Sequence, residues 1–297
     1  MLIHKSPHCF LFFLTFFLAC SASASEYITK IRLNVEHTNN SGLLSKSQAQ
    51  HDIKVAPSLV IDYRIGSGNF QSNLNYSATR NDYMKNTFAD RSDVLGSGTF
   101  LWKIFDRTLV WNLSQNRRRL KIDSLLGNDP SNQTNRNILQ TGPRLTIGFG
   151  RNNTFAVDAS YVESSFSQGS TNNSQQERLG LEYQRIINAQ DKLKVTVLAA
   201  ESKFDDSIFD YQFQRYNVTL ESNPRNFQYS IAIGHNSIDR NMGASLSGPY
   251  LSFSVSANKS NSSWSFSGNR ELTDSSIGIA VSENLPDSRF NRDSNLT

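Results

Sequence analysis

The sequence has 297 residues, a formal net charge of +4, and 37% hydrophobic and 11% aromatic residues. Seven prolines and sixteen glycines are too few for a collagen-like or low-complexity chain. Because the Lys and Arg residues are scattered rather than gathered in one basic stripe, we expect no nucleic acid among the partners.

The first segment, residues 1–24, is predicted to be a secretory signal peptide. Lys5 supplies a positive charge, Cys9–Ala19 forms an apolar core, and Ala22–Ala24 offers the small residues of a cleavage site. The apolar core is too short to span a bilayer, which favours a cleaved signal peptide over the alternative of a transmembrane anchor.

The mature chain, residues 25–297, is predicted to be one domain without cysteine. Both cysteines, Cys9 and Cys20, lie in the predicted signal peptide, and lipoprotein processing at Cys20 is a second alternative to its cleavage. A mature chain without cysteine cannot hold a disulfide scaffold, a cysteine nucleophile or a Cys-ligated metal. It must be stabilised by its own core or by a membrane.

The stretch Gln140–Tyr161 shows a pattern that recurs along the mature chain. Every second residue is apolar from Pro143 to Phe149, the turn-like Gly150–Asn153 follows, and the alternation resumes at Phe155. Strict alternation on both sides of a short turn predicts a β-hairpin with one apolar and one polar face.

Similar segments predict an all-β protein with about thirteen strands, each near the 9–11 residues of a tilted transmembrane strand. Competing with a membrane barrel is a soluble sandwich or barrel, in which the same alternation is turned inside out. In chain order the clearest segments are residues 27–37, 55–65, 70–78, 140–149, 155–161, 178–184, 193–199, 215–221, 226–233 and 250–257.

The connections between these segments alternate in length. Alternating short turns and long loops predict an up-and-down antiparallel β-barrel of the outer-membrane type, with the long loops outside the cell. Aromatic residues near the segment ends on the apolar face suit the membrane interface. The short turns are predicted at 66–69, 105–107, 150–153, 187–190, 222–225 and 258–262, and the long loops near 38–52, 81–93, 117–136, 164–176, 202–210 and 235–246.

Three stretches carry a resemblance to a known family: NILQTGPRLTIGFGRNNTFAVDASY, TFLWKIFDRTLVWNLSQ and SGPYLSFSVSANKSNSSWSFSGNRELTDSS. They resemble the outer-membrane β-barrel family associated with the PEP-CTERM exosortase and exopolysaccharide system of Gram-negative bacteria. The resemblance implies an integral outer-membrane protein that accompanies exopolysaccharide production or secretion. Its implied partners are outer-membrane lipid and lipopolysaccharide, the exopolysaccharide and its secretion machinery, and the outer-membrane assembly machinery. It implies no catalytic residue and no cofactor.

The C-terminal residues depart from that family. Such barrels usually end in a strand with a terminal aromatic residue, whereas this sequence ends in the polar, turn-like NRDSNLT. An odd strand count also cannot close a single-chain bacterial barrel. Either one strand escapes the pattern or the C-terminal strands are absent, and we favour truncation.

Charged residues on the polar face are the candidate functional residues. A turn centred near Arg151 places Arg144 opposite Asp158, and a turn centred near Asn188 places Glu182 opposite Lys194. Arg178 would balance the two carboxylates from one step further along. This predicted lumen-lining belt stiffens or plugs the interior in one interpretation, and it lines a polar conduit for sugar chains in the other. Its predicted members are Arg144, Asp158, Arg178, Glu182 and Lys194.

Other motifs are weaker. NRRRLK, residues 116–121, is expected to begin a long outer loop, where it would be solvated or contact phosphates of lipopolysaccharide. FDDSIFD, residues 204–210, has three aspartates but lacks the spacing of a calcium loop. The histidines at 37, 51 and 235 lie at predicted strand ends or loops. We therefore predict a non-enzymatic protein without catalytic or metal residues, and the alternatives are a generic diffusion porin and a surface enzyme acting on lipid or polysaccharide.

Overall fold

The computed structural model describes residues 25–39, 51–105, 108–122, 130–167, 173–259, 262–274 and 290–296. The predicted signal peptide and its cleavage site lie outside these ranges. No helix among the described residues is long and apolar enough to cross a membrane.

The structure is all-β, as the alternating pattern predicts. Besides the strands, two short 3₁₀ helices, Pro130–Asn132 and Ser207–Phe209, lie among the described residues. The fourteen strands are β1 Ser25–Thr38, β2 Asp52–Gly66, β3 Phe70–Tyr83, β4 Arg91–Phe105, β5 Leu109–Lys121, β6 Gln133–Phe149, β7 Asn153–Phe166, β8 Ser174–Ile186, β9 Asp191–Phe204, β10 Tyr211–Ser222, β11 Phe227–Arg240, β12 Leu246–Lys259, β13 Ser262–Asp274 and β14 Phe290–Leu296.

The chain forms two compact units, the first ending at Trp102 and the second beginning at Lys103. In the first unit β1, β2, β3 and β4 pair antiparallel in chain order. In the second unit β5 to β14 also pair antiparallel, each strand with the next along the chain. The predicted up-and-down meander is therefore confirmed within each unit.

Strand lengths differ from the prediction in a consistent way. The short turns after β2, β6, β8 and β10 lie where the sequence indicates, but β1 to β13 have 12–17 residues each. The predicted turns at 105–107 and 258–262 include residues outside the described ranges. The extra residues extend the strands into the predicted long loops. NRRRLK was expected to begin a loop. Because β5 is longer than predicted, this motif forms the last part of that strand instead.

The C-terminal residues contain a strand that the pattern missed. β14 pairs antiparallel with β13 from Gly268↔Leu296 to Asp274↔Phe290, so the stretch interpreted as turn-like is extended. It escaped recognition because NRDSNL has almost no apolar residue to alternate. The predicted count of about thirteen strands is close to the fourteen among the described residues.

Each unit has an apolar face and a polar face, and the predicted assignment of residues to them is confirmed by the register. In the second unit Leu145 lies opposite Val157, and Leu181 lies opposite Val197, all on the apolar face. The apolar side chains are exposed, with Ile31 85% and Ile233 60% accessible. A soluble sandwich would bury this face, so the exposure is opposite to what that alternative requires.

Aromatic side chains gather on the apolar face near the short turns. Phe149 stacks on Tyr183 with ring centroids 6.1 Å apart, and Phe227 lies 6.3 Å from Trp264. Phe149 and Trp264 are both exposed. Amphipathic rings in this position suit the boundary between hydrocarbon and water.

The second unit curls toward its polar face. A Cβ on Gly142 would lie 1.9 Å from the carbonyl oxygen of Ala159, and one on Gly234 would lie 2.0 Å from that of Tyr216. Glycine at such positions lets a strand bend closely over its neighbour. Across the same face Arg215 on β10 contacts Glu271 on β13, although strands three apart in a flat sheet are separated by about 14 Å.

A buried carboxylate anchors the long-loop end of the first unit. Asp52 accepts backbone hydrogen bonds from Ile53 at 2.7 Å, Lys85 at 3.0 Å and Thr87 at 3.2 Å, joining the start of β2 to the β3–β4 loop. Burial disfavours the charged carboxylate, but these N–H donors prevail and hold the pKa of Asp52 below its ordinary value of 3.8.

This anchor is expected to weaken in acid. A folded-state pKa below the unfolded one stabilises the fold above about pH 3.8, and the stabilisation is lost as the pH falls through the folded pKa. Hydrogen exchange should show the protection of the Lys85 and Thr87 amides falling below that pH. Asp52→Asn should give weaker protection with no such acid step, and parallel loss in both proteins would contradict the assignment.

Candidate functional site: the charged polar face

The best-defined charge cluster on the polar face is centred on Arg144 of β6. Its Nη1 lies 3.4 Å from Asp158 Oδ1 on β7, and its Nη2 lies 2.9 Å from Glu182 Oε1 on β8. The predicted register of Arg144 opposite Asp158 is confirmed. Arg144 thus bridges three adjacent strands and contacts two carboxylates.

Gly180 makes this bridge possible, and the sequence analysis did not single it out. It lies opposite Asp158, and a Cβ added there would be 2.5–2.8 Å from the Asp158 carboxylate. The carboxylate occupies the space that a side chain on β8 would fill. This leaves the guanidinium of Arg144 free to reach across β7 to Glu182.

The predicted pairing of Glu182 with Lys194 is wrong. Glu182 lies opposite Thr196, and Lys194 lies opposite Gln184. The turn is centred one residue later than expected, because Ile187 donates its N–H to the carbonyl of Asp191 at 2.9 Å. A one-residue shift of the centre moves the pairing by two residues and keeps every side chain on its predicted face.

Lys194 finds its carboxylate on the other neighbouring strand. Its Nζ lies 2.6 Å from Glu221 Oε1 on β10. Further along the same face, Arg215 Nη1 lies 3.2 Å from Glu271 Oε2 and the guanidinium lies 5.0 Å from the centre of the Tyr250 ring. Glu271 was missed because β13 alternates too weakly to be counted among the clear segments.

All these ion pairs are accessible to water. The side chains of Arg144, Asp158 and Glu182 are 39%, 37% and 27% exposed. Those of Lys194, Glu221, Arg215 and Glu271 are exposed to a similar degree. We call these seven residues the charged belt, and its wet surroundings favour the interpretation as a conduit lining over a dry plug.

The polar face changes character toward the long-loop end. Arg178 donates from Nε to Gln176 Oε1, and Gln176 donates from Nε2 to Ser202 Oγ at 2.6 Å and to Tyr211 Oη at 3.4 Å. Gln176, Ser202 and Tyr211 are buried, with Ser202 fully inaccessible. Of the five predicted belt residues, Arg178 therefore belongs to this drier network, one step from the wet one.

An apolar cluster lies beside this network. We call it the rim cluster: its buried members are Phe204, Tyr211, Ile238 and Leu272, and Phe209, Phe213 and Leu246 pack against it. These side chains come from β9 to β13 and from the β9–β10 loop. Phe204, Tyr211 and Ile238, like Phe213 and Leu246, are apolar residues at polar-face positions, and that break in the alternation is the sequence signal that could have revealed them.

The aspartates of FDDSIFD accept hydrogen bonds that stabilise the β9–β10 loop. Asp206 Oδ1 accepts the N–H of Ile208, Asp210 Oδ1 accepts the N–H of Phe204 at 2.7 Å, and Asp205 Oδ2 accepts the side-chain amide of Asn173 at 2.8 Å. Each carboxylate has its own hydrogen-bond donor. The motif is thus explained as a capped 3₁₀ turn tied to its neighbour loop.

Arg144 and Asp158 offer a test of how wet the belt is. The free energy of unfolding should be measured for Arg144→Ala, Asp158→Ala and the double variant. Because both side chains are more than a third exposed, the coupling energy should be below about 1 kcal/mol. A coupling of several kcal/mol would mean that the pair lies in a dry interior.

No family model matches the sequence, and no curated protein matches it. Among solved structures, the chain is similar to one described as "Bacterial polysaccharide outer membrane secretin", with a TM-score of 0.49 and 9% sequence identity, over 91% of this chain and 95% of that one.

Proposed function

We propose that the protein is an outer-membrane β-barrel that assists the export or surface handling of an exopolysaccharide without catalysing a reaction. One observation carries the membrane assignment: the antiparallel meander exposes its apolar face and directs its charges to the other. In this arrangement the apolar face contacts lipid and the polar face lines a lumen. A predicted signal peptide delivers the chain across the inner membrane.

The apolar band has the height that an outer membrane requires. On β6 the outward positions run from Leu139 to Phe149, ten residue steps along the strand. At about 3.3 Å per residue and a tilt near 40°, they cover roughly 25 Å, the height of the lipid-facing band of such barrels. Above this band Asn137 and Asn135 follow on the same side of the strand.

The polysaccharide assignment is supported by the family resemblance and by the chemistry of the polar face. Asn217 lies opposite Thr196, and Ser254 lies opposite Ser230, all on the face of the charged belt. Neutral hydroxyl and amide groups exchange hydrogen bonds with sugar hydroxyls without the cost of desolvating a charge. The belt charges are themselves paired, so they would not hold a neutral polymer tightly.

The proposal is tested by deleting the gene in the producing bacterium and restoring it on a plasmid. Export predicts loss of surface exopolysaccharide with accumulation of polymer inside the cell envelope, and restoration by the plasmid. Unchanged surface polymer together with reduced uptake of small solutes would favour a diffusion porin. Unchanged amounts of polymer with an altered chain length or substitution would favour a surface enzyme.

A further inference from the structure

We propose that the rim cluster and the β9–β10 loop, residues 205–210, close the long-loop end of the lumen, and that this loop is the element that moves to open it. The inference rests on the proposed barrel but not on any polymer. It assigns the protein a resting state in which the charged belt contacts water only from the side of the short turns.

The burial of polar-face residues changes along the strands. Near the middle of the strands, the charged side chains of the belt are about a quarter to two fifths exposed, while shorter residues between them, such as Asn217 and Ala232, are buried. Toward the long loops, residues on the same face are almost inaccessible, including Ser202 and Asn236 at 0% and Arg136 at 1%. Polar side chains that are buried at the long-loop end, where the charged belt does not reach, are consistent with a seal at that end.

The seal has an apolar centre. Phe204 lies 6.1 Å from the Tyr211 ring and 6.4 Å from the Phe209 ring, and Ile238 and Leu272 are buried in the same cluster. Apolar constrictions block the passage of ions by excluding water, even where the gap is not filled by atoms. The cluster therefore needs only small displacements to change permeability.

Phe209 is the member of the cluster that can leave. The four buried members belong to paired strands, whereas Phe209, which is partly buried against them, ends the 3₁₀ turn Ser207–Phe209 in the loop. Among the described residues, the loop is joined to its neighbours by hydrogen bonds at two points. Asp205 donates its N–H to the Asn173 carbonyl at 3.2 Å and accepts the Asn173 side-chain amide, and Asn241 donates its backbone N–H to the Asp210 carbonyl at 3.0 Å and its side-chain amide to the Ser207 carbonyl at 3.4 Å. Exposed bonds of this kind open at low cost compared with a strand ladder.

The test uses the purified full chain refolded into planar lipid bilayers. Wild type should conduct rarely and briefly, and Phe209→Ser should raise the open probability at least several-fold, because the apolar anchor of the loop is lost. Ile208→Ser is the matched control: it is the adjacent apolar residue of the same turn, it is 45% exposed, and it lies outside the rim cluster. Ile208→Ser should behave as wild type.

An engineered disulfide can hold the loop closed reversibly, since the mature chain has no cysteine of its own. Asn173 and Asp205 continue the β8–β9 ladder opposite each other, with their side chains 2.8 Å apart. Asn173→Cys with Asp205→Cys, placed on Phe209→Ser, should restore the low open probability when oxidised, and reductant should release it.

Three results would overturn the inference: a large steady conductance of wild type, equal effects of Phe209→Ser and Ile208→Ser, or no effect of either variant. If Phe209→Ser does not fold, as judged by heat-modifiable migration, Phe209→Leu takes its place. Its open probability is then compared with those of wild type and Ile208→Ser in the same way. The deletion strain tests the role in polymer export, and the bilayer recordings test the closure of the lumen. The two proposals can therefore fail separately.

Discussion

Val197→Arg is expected to destabilise the protein by about 2–4 kcal/mol in a lipid bilayer, the cost of an arginine at the midplane of a lipid-facing band. Val197 is exposed on the apolar face, in one row with Val157 and Leu181. The guanidinium would have to reach the interface or draw water into the hydrocarbon. Urea unfolding of the protein in lipid vesicles measures the effect.

The neighbouring residue provides the control. Thr196 lies next to Val197 in β9 but on the polar face, opposite Glu182. Thr196→Arg should therefore cost less than about 1 kcal/mol, because the new charge meets water and a carboxylate. Equal costs at the two positions would mean that the two faces of β9 do not meet different solvents.

Gly142→Ala is expected to have the second largest effect. Its Cβ would lie 1.9 Å from the Ala159 carbonyl oxygen and 2.7 Å from the Ser160 Cα, both backbone atoms that cannot rotate away. Overpacking of this kind costs about 1–3 kcal/mol, sometimes more, because β6 and β7 must separate. Loss of heat-modifiable migration at a lower temperature would report it.

Gly148 on the same strand is the matched control. A Cβ there would meet only the Asn153 carbonyl oxygen, at 4.0 Å. Gly148→Ala should leave the stability within about 0.5 kcal/mol of wild type, as surface substitutions usually do. If both alanine variants were equally stable, β6 would not approach β7 as closely as described.

The faces of the strands could be predicted because side chains alternate with a period of two within each strand, and the one register error, a shift of two residues, leaves that alternation unchanged. Arg144 and Asp158 were paired correctly because the turn before Asn153 is short and contains Gly150, whose φ of +68° suits glycine. The partner of Lys194 was not predicted correctly, since the pairing there depends on which backbone groups close the turn between β8 and β9. Sequence alternation does not record that choice.

Contacts between residues on strands that are not adjacent could not be predicted from the sequence. The Arg215–Glu271 pair depends on how strongly the second unit curls, and no local pattern encodes that distance. The rim cluster has the same origin, because Phe204 and Ile238 are far apart in the chain and meet only on the curled face. Apolar residues on the polar side of the alternation were the available signal for them.

The central claim is that neighbouring residues of one strand face lipid and water in turn, and single-cysteine labelling along β9 tests it most directly. A fluorophore should be attached at Lys194→Cys, Val195→Cys, Thr196→Cys and Val197→Cys in lipid vesicles, using residues 25–297, which contain no other cysteine. We expect a quencher dissolved in the lipid to act at 195 and 197, and a water-soluble quencher to act at 194 and 196. Quenching from the lipid at 194 and 196, or no alternation along the strand, would contradict the membrane barrel.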